Sequence, residues 1–443
     1  MIRQLSAAVI ASFRDSAPAQ HRRLLSCFSA RQWQENFSWL DASGLALYFL
    51  DQLRTANTEG DIPASILAQL EQRHADNQQR TRALFEEFVR INTAFGAAGL
   101  EYVNLKGFTL VPDYCRDLSL RCQMDFDFLL RGHQAQSCRE VLHGLGYSLM
   151  ASNAHVMEFK SNAGSVPHVR DLYKARPQHS VEVHLCDVPG AEFQPRLLRR
   201  SRVLSIHGVD VPALAAIDMF LGQASHLFRH IRSEWTRISW LHELKHATAA
   251  RREDPVFWNT VRTGAGLSDS SLAVAASLRL AEKAFGQFAP AELRDWATER
   301  LPASVALWID RYGDDVLLAD FPGSKLYLIL DHELDGSRGM SATIRRRLLP
   351  MHGPARVTAA PSGNVGERFR AFKSQLRYLL FRLRFHLAQT PRYLWEAWRW
   401  NRLCADSKER RAGTVQVTAS ELAEECQAGH GLQSSYRSLT VKQ

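Results

Sequence analysis

One short apolar segment constrains the fold of this chain more than any other. Residues 124–130 read Met-Asp-Phe-Asp-Phe-Leu-Leu. Alternate residues of a β-strand point to the same face, so Asp125 and Asp127 project together while the phenylalanines face the other way. Two like charges held this close repel, and burying either one without a partner costs free energy. The usual compensation is a divalent cation, and oxygen ligands suit Mg²⁺ or Mn²⁺ holding the phosphates of a nucleotide.

An edge strand with alternating acids on a solvated face would show the same pair of aspartates. Here the intervening residues are phenylalanines, and Leu129 and Leu130 continue the apolar run. A strand that is apolar on its other face and beyond the pair gives no structural reason for two acids. The segment therefore favours a metal-binding strand.

A second strand carries a further acid. Residues 180–185, Ser-Val-Glu-Val-His-Leu, alternate polar and apolar side chains, which places Glu182 and His184 on one face. Glu182 is either a third site carboxylate or an ordinary exposed strand acid. His184 either lines the site or is structural.

The order of these features resembles a bacterial nucleotidyltransferase-like family, often labelled uncharacterised, of the DNA polymerase beta-like nucleotidyltransferase superfamily. The resemblance spans about residues 90 to 250. It is carried by Leu105-Lys106-Gly107, Tyr114, Leu120-Arg121, Asp125-x-Asp127, Val181-Glu182-Val183-His184, and a helical segment, 221–244, with His226, Trp240 and Glu243.

The resemblance implies an α+β fold, with a small mixed nucleotidyltransferase-type sheet flanked by mainly helical N- and C-terminal regions. Members of the superfamily bind a nucleoside triphosphate (NTP) with Mg²⁺ on two carboxylates of one strand. A third acid on a neighbouring strand helps to activate the acceptor hydroxyl for in-line attack on the α-phosphate. By position, Asp125 and Asp127 are the implied metal ligands, Glu182 is the third catalytic carboxylate, and His184 lines the nucleotide site.

The chain departs from the superfamily in its phosphate-binding turn. Members usually carry Gly-Ser or Gly-Gly shortly before the aspartates, whereas here Lys106-Gly107 lies 18 residues before Asp125. Lys106 is expected to supply charge to the triphosphate, and Gly107 permits close backbone approach or an unusual φ. Arg121 is either a second phosphate clamp or a rim arginine that pairs with the aspartates.

A competing motif, His242-Glu243-Leu244-Lys245-His246, matches the H-E-x-x-H pattern of zinc peptidases. A lysine lies inside the motif, and no convincing third ligand follows it. The zinc peptidase is therefore disfavoured. In the preceding helix, His226 either faces the cleft or packs against a neighbouring helix.

The chain has 443 residues, of which 45% are hydrophobic, and is long enough for several domains. We expect helices over 1–90, with a long one from Pro63 to Phe95, and a nucleotidyltransferase-like core over 91–205. A helical domain over 206–345, helical from Pro212 to about 310, and a basic amphipathic region with a polar tail over 346–443 complete the chain. No apolar run reaches transmembrane length, and seven cysteines without C-x-x-C spacing predict a cytoplasmic protein.

Positive charge is concentrated near the C-terminus. Residues 345–402 hold thirteen Lys/Arg against two Glu, a balance of +11, whereas the whole chain is +9, so the remainder is −2. Leucines and tryptophans are interleaved with these cations over 368–402. Three interpretations stay open: a structural cap, a peripheral segment on the inner face of an anionic membrane, or a contact with nucleic acid or another acidic polymer.

The sequence is compatible with two functions. The first is a Mg²⁺-dependent (or Mn²⁺-dependent) nucleotidyltransferase that uses an NTP donor and an unidentified acceptor. The second is a non-catalytic protein that keeps the fold as a membrane-surface or regulatory partner. Retention of all three acids favours the enzyme, and the altered glycine turn favours the alternative.

Overall fold

The computed structural model describes residues 2–14, 19–161, 172–174, 179–190, 194–335, 342–348 and 365–436, with side chains of the last helix up to 404. These residues form an α+β fold, as predicted, with one seven-stranded mixed sheet. The strands are β1 (Tyr102–Asn104), β2 (Asp125–Arg131), β3 (Tyr147–Ser152), β4 (Val156–Ser161), β5 (Ser180–Cys186), β6 (Arg202–Ile206) and β7 (Val209–Ala213). The helices are α1 (Ile2–Ala11), α2 (Ala19–Ser26), α3 (Ala30–Ser43), α4 (Ala46–Ala56), α5 (Ala64–Ala97), α6 (Ala135–Gly144), α7 (Arg196–Arg199), α8 (Ala216–Ile231), α9 (Ile238–Ala250), α10 (Pro255–Leu267), α11 (Ser271–Phe285), α12 (Ala291–Arg300), α13 (Ala303–Leu317), α14 (Tyr327–Asp335), α15 (Ala342–Leu348) and α16 (Val365–Tyr436).

The sheet has the strand order β3-β4-β5-β2-β1-β7-β6, which places the aspartate strand β2 near its centre. β2 pairs with β1 in antiparallel and with β5 in parallel orientation. In the parallel register Asp127 lies opposite Glu182. Side chains at paired positions of adjacent strands point to the same face, so this pairing brings the predicted acids together.

Each face of the sheet is covered by a different helix layer. Leu84, Phe88, Ile91 and Phe95 of α5 recur at helical spacing and pack on one face, in the same hydrophobic core cluster as the phenylalanines of β2. On the opposite face, Leu129 joins a smaller cluster with residues of α8 and α9. The aspartates project on this second face.

Helix α5 also fixes the segment that leads into β2. Asn77 Nδ2 donates a hydrogen bond to the Ser119 carbonyl at 2.7 Å, and Arg80 Nη2 donates one to the Gln123 carbonyl at 2.6 Å. The side chains of Asn77 and Arg80 are buried. Satisfied buried donors of this kind are costly to remove, so they hold the start of the aspartate strand in place.

The helical regions at the two ends of the chain share one core. Trp33 and Phe49 of the N-terminal helices belong to the same hydrophobic cluster as Phe220, Trp258 and Trp308 of the later helices. The regions predicted as 1–90 and 206–345 therefore pack against each other. None of the described helices combines the length and apolar character that crossing a membrane requires.

The hairpin β6–β7 was not predicted from the sequence, which placed the start of the helical region at Pro212. The sheet extends to Ala213, and α8 begins at Ala216. A proline in an interior strand obscures the pattern because it has no N–H for the ladder. β7 pairs with β1 through a single position, Asn104 opposite Ala213, and the Asn104 side chain donates to the Pro212 carbonyl at 2.9 Å.

The Asn104 side chain thus adds a hydrogen bond between β1 and β7 beside their single paired position, and its removal provides a test. Its Nδ2 also donates to Asn92 Oδ1 at 2.8 Å, and the residue is buried. We expect Asn104→Ala to lower the free energy of unfolding by roughly 1–3 kcal/mol in denaturant melts, because the Pro212 carbonyl and Asn92 Oδ1 each lose a hydrogen bond. Asn259→Ala, at an exposed helix position, is the matched control and should change stability by less than about 0.5 kcal/mol. Equal effects of the two substitutions would contradict this role of Asn104.

Candidate active site and metal centre

Asp125 and Asp127 lie on the same face of β2, with a lysine between them. Lys106 Nζ, just after β1, lies 3.2 Å from Asp127 Oδ1 and 3.7 Å from Asp125 Oδ2. The Asp127 side chain is 1% exposed, whereas that of Asp125 is 36% exposed. The structure thus brings the three predicted residues into one ion-pair cluster, with Asp127 at its buried end.

Gly107 shapes the turn that presents the lysine. Its φ is +81°, a left-handed conformation that L side chains rarely adopt. A Cβ at this position would lie 2.7 Å from Gln123 Nε2, and that amide donates to the Asp125 carbonyl at 3.0 Å. The unusual φ expected from the sequence is therefore present, although whether this turn binds phosphate stays a prediction.

We expect Gly107→Ala to destabilise the fold by about 1–2 kcal/mol, because alanine is strained at this φ and displaces the Gln123 amide. Gly96→Ala is the matched control, since Gly96 is within α5 and an added Cβ there meets no atom within 4 Å. That change should be neutral or slightly stabilising. Thermal unfolding of both variants checks the difference, and an equally stable Gly107→Ala variant would contradict the strain.

The third predicted acid and the histidine complete a candidate acidic metal site. Asp127, Glu182 and His184 each offer a ligand atom, and these atoms all lie within 4.8 Å of one another. Asp127 Oδ2 has no hydrogen-bond partner among the described residues, which is unusual for a buried carboxylate oxygen. Two carboxylates and an imidazole can hold a divalent cation, so the donor set fits such an ion. The group overlaps the predicted pair at Asp127, and Asp125 lies at its edge.

The electrostatics of this cluster favour a bound cation. Burial, and then the charge of Asp125, raises the pKa of Asp127 to about 7. Burial also raises the pKa of Glu182. Burial lowers the pKa of Lys106, but the two aspartates outweigh this effect and raise it overall, so the lysine stays charged. Burial lowers the pKa of His184 to about 4, which leaves the imidazole neutral at pH 7 and able to act as a ligand.

These side chains line a cavity of about 470 Å³, which is large enough for a nucleotide-sized molecule. Helix α8 forms its other wall through His226, Arg229 and His230. His226 thus faces the cleft, one of the two alternatives for this residue. His226 and His230 also pack on Trp240, with ring centroids 5.1 and 4.3 Å from its ring.

Sequence reasoning missed Arg229 as a site residue. It lies three residues after His226 and one before His230, so helical spacing puts the three on adjacent parts of one face. That spacing was the available signal. This face of α8 covers the aspartate strand only because of the tertiary packing, which a local sequence pattern does not reveal.

Arg121 pairs with a different acid from the one considered in the sequence. Its Nε donates to Glu243 Oε1 at 3.1 Å, and Tyr48 donates its hydroxyl to the same oxygen at 2.9 Å. Burial lowers the pKa of the guanidinium, but the Glu243 charge outweighs it and raises it overall. Arg121 is thus held by Glu243 rather than by the aspartates, and its role as a phosphate clamp stays a prediction.

The first histidine of the H-E-x-x-H motif packs against aromatic rings. The ring of His242 lies 4.8 Å from that of Phe13 and 4.9 Å from that of Tyr48, between centroids. Burial lowers its pKa to about 3. Glu243 holds the arginine just described. Within the described residues, the one cluster of possible metal ligands is at the aspartate strand, so the structure gives no support for a zinc peptidase.

Glu243 should therefore matter for stability. We expect Glu243→Ala to lower the free energy of unfolding by about 3 kcal/mol, because it leaves the buried Arg121 guanidinium without its counter-ion. Glu299→Ala, at an exposed position of α12, is the control and should have little effect. Denaturant melts of the two variants give the comparison. A Glu243→Ala variant as stable as the control would show that the pair is not structural.

A cluster of acids that could hold a metal, opening into a cavity of this size, is compatible with enzymes that act on phosphorylated substrates. The family described as uncharacterised nucleotidyltransferase matches residues 29–286, which is more than half of the chain and includes every residue of the site. The chain therefore belongs to this family, as the sequence predicted, and the match supports a general role in nucleotidyl transfer. No curated protein matches the chain.

Proposed function

We propose that this chain is a divalent-metal-dependent nucleotidyltransferase of the DNA polymerase beta-like superfamily, which moves a nucleotidyl group from an NTP to an acceptor. The observation that carries the proposal is the cluster of Asp127, Glu182 and His184, with Lys106 beside it, on the wall of one cavity. Positioning and charge stabilisation account for most of the catalysis of such transfers.

Asp127 and Asp125 are the residues that we propose to hold Mg²⁺ or Mn²⁺, with Glu182 and His184 close enough to contribute. Asp127 Oδ2, which has no hydrogen-bond partner among the residues that the structure describes, supports this assignment. A bound divalent cation would neutralise the charge that develops on the transferred phosphate. The cation would also stabilise the ionised form of Asp127, whose pKa is raised by burial in its absence.

Glu182 is the proposed acceptor-activating carboxylate. Its side chain is 38% exposed toward the cavity that it lines, and its Oε1 lies 3.4 Å from His184 Nε2. In the transfer step the acceptor oxygen forms a bond to the α-phosphorus and its proton passes to Glu182. The bond from the α-phosphorus to the oxygen that bridges to the β-phosphate breaks, and pyrophosphate leaves.

Cations on two walls would bind the phosphates. Lys106 approaches from the end of β1, and Arg229 approaches from α8 on the opposite wall. Two cations on facing walls can bind a triphosphate that spans the cavity, and arginine can do so through two parallel hydrogen bonds. In this arrangement the nucleotide lies between the sheet and α8.

We propose that the acceptor extends from Glu182 in the first cavity into the adjoining one, which has a volume of about 320 Å³ and shares Leu214, Gly222 and Arg229 with the first. Its wall includes Asp218, a residue 7% exposed whose Oδ2 has no hydrogen-bond partner among the described residues. Arg200 forms an ion pair with this oxygen at 3.4 Å. A buried carboxylate oxygen beside the site suits a hydroxyl or amine donor on a small acceptor.

One observation favours the second candidate, a non-catalytic protein with this fold. Lys106 Nζ already lies within ion-pair distance of both aspartates, so a resident cation partly neutralises them. A protein in which the lysine served only this purpose would need neither metal nor nucleotide. Nucleotide binding therefore decides between the two candidates.

The test is calorimetric titration of ATP, GTP, CTP and UTP, each with and without Mg²⁺, into the full chain. We expect one or more nucleotides to bind only when the metal is present. Asp125→Asn/Asp127→Asn should abolish this binding because it removes the proposed metal ligands while keeping side-chain size.

Glu101→Gln is the matched control for that double variant. Glu101 pairs with Arg131 at the opposite end of β2, so its loss should leave nucleotide binding unchanged. Circular dichroism establishes that each variant is folded. Absence of metal-dependent binding by folded wild type, or its survival in the double variant, would contradict the proposed function.

A further inference from the structure

Helix α16 carries a continuous stripe of exposed apolar side chains. The residues of this stripe recur every three, four or seven positions, which places them on one face of the helix. Each is between 44% and 68% exposed. The stripe consists of Phe369, Phe372, Leu376, Leu380, Leu383, Leu387, Leu394 and Trp398.

The opposite face of α16 is the one that holds the helix on the protein. Phe385, Tyr393 and Trp400 are buried there. Arg382 Nη1 forms an ion pair with Glu234 Oε2 at 2.7 Å, and Trp400 Nε1 donates to Glu333 at 2.7 Å. The exposed stripe is therefore not needed for docking the helix, and monomeric proteins rarely leave an apolar surface of this extent in water.

Exposed cations border one side of the stripe. Lys373, Arg377, Arg384 and Arg402 follow each other at helical spacing along that flank. Among the described side chains of α16 the one acid is Glu396, which accepts a hydrogen bond from Tyr312 on the docked side. The outward side of the described helix thus combines large apolar groups with positive charge.

The apolar stripe and the adjacent cations together indicate which kind of partner α16 binds. Nucleic acid would be bound by the cations, but it would leave most of the leucines and phenylalanines in water. A second copy of the helix would cover the stripe, but along the described part of the helix it would bring two rows of cations together without acids on that flank to pair with them. An anionic lipid surface takes up both, because apolar side chains enter the headgroup region while lysine and arginine contact lipid phosphates.

We infer that α16 binds an anionic lipid surface, with the helix lying in the plane of the interface rather than crossing it. The helix lies outside the segment that matches the nucleotidyltransferase family. The inference does not rest on the proposed function. It assigns the basic C-terminal region one of the three interpretations that the sequence left open.

The experiment is co-sedimentation of the full chain with two kinds of large unilamellar vesicle: phosphatidylcholine alone, and phosphatidylcholine mixed with phosphatidylglycerol. We expect binding to the mixed vesicles that weakens with added salt, and little binding to phosphatidylcholine alone. Lys373→Gln/Arg377→Gln/Arg384→Gln should weaken binding to the mixed vesicles by about a hundredfold.

Leu380→Gln/Leu383→Gln/Leu387→Gln tests the apolar part and should weaken binding by more than about tenfold. These leucines are exposed, so the fold should tolerate the change. The matched control is Val203→Gln/Val256→Gln/Leu267→Gln, which removes three apolar side chains that are even more exposed and lie away from α16. The control should bind like wild type.

Several results would overturn the inference. The first is failure of wild type to bind the mixed vesicles, and the second is equal binding by the leucine variant and wild type. Light scattering that shows a dimer dissociated by the leucine substitutions would assign the stripe to a second copy. Tight binding to an RNA or DNA duplex that needs the cations but not the leucines would assign the flank to nucleic acid.

Discussion

The parallel pairing of β2 with β5 is the contact on which the rest of the site depends. It sets Asp127 opposite Glu182 and so collects carboxylates at one end of the sheet. Asp127 is almost fully buried, and its pKa is raised to about 7 by that burial and by its neighbour Asp125. A fold gains nothing in stability from such a cluster, since apolar residues would pack there at lower cost. The proposed function accounts for the cluster, because a bound divalent cation would supply positive charge to it beyond that of Lys106.

The helices on the two faces of the sheet have different roles at this cluster. Helix α5 covers the apolar face and binds the carbonyls of the segment before β2, so the strand cannot shift along its register. A shift by one residue would turn the aspartates toward α5. Helix α8 stands on the other face at a distance that leaves a cavity, with His226 and Arg229 on its inner side. Rigid support on one side and open space on the other is what a binding site on a sheet requires.

Short sequence patterns predicted the strands whose side chains alternate between polar and apolar. Alternating acids and phenylalanines identified β2, and the alternation around Glu182 identified β5, because period two is a property of the strand itself. The hairpin β6–β7 was missed because Pro212 breaks the strand pattern. The Asn104 side chain that donates to the Pro212 carbonyl comes from a distant part of the chain. Arg121 was placed near the right strand, but its partner Glu243 is more than one hundred residues away in sequence. Ion pairs of this range depend on how helices pack, and a single sequence does not contain that information in readable form.

Lys106 has a role in both candidate functions, the nucleotidyltransferase and the non-catalytic protein. Without a metal, its ammonium group is the cation nearest to Asp125 and Asp127, and the aspartates keep it charged. A divalent cation held by the same carboxylates would repel this ammonium group, and the long lysine stem allows it to turn into the cavity, where a triphosphate offers new partners. On the enzymatic proposal the lysine therefore acts as a counter-ion before the substrate binds and as a phosphate ligand afterwards. A protein that only kept the fold would have use for the first of these roles alone, and the cavity beside the lysine would then have no explanation.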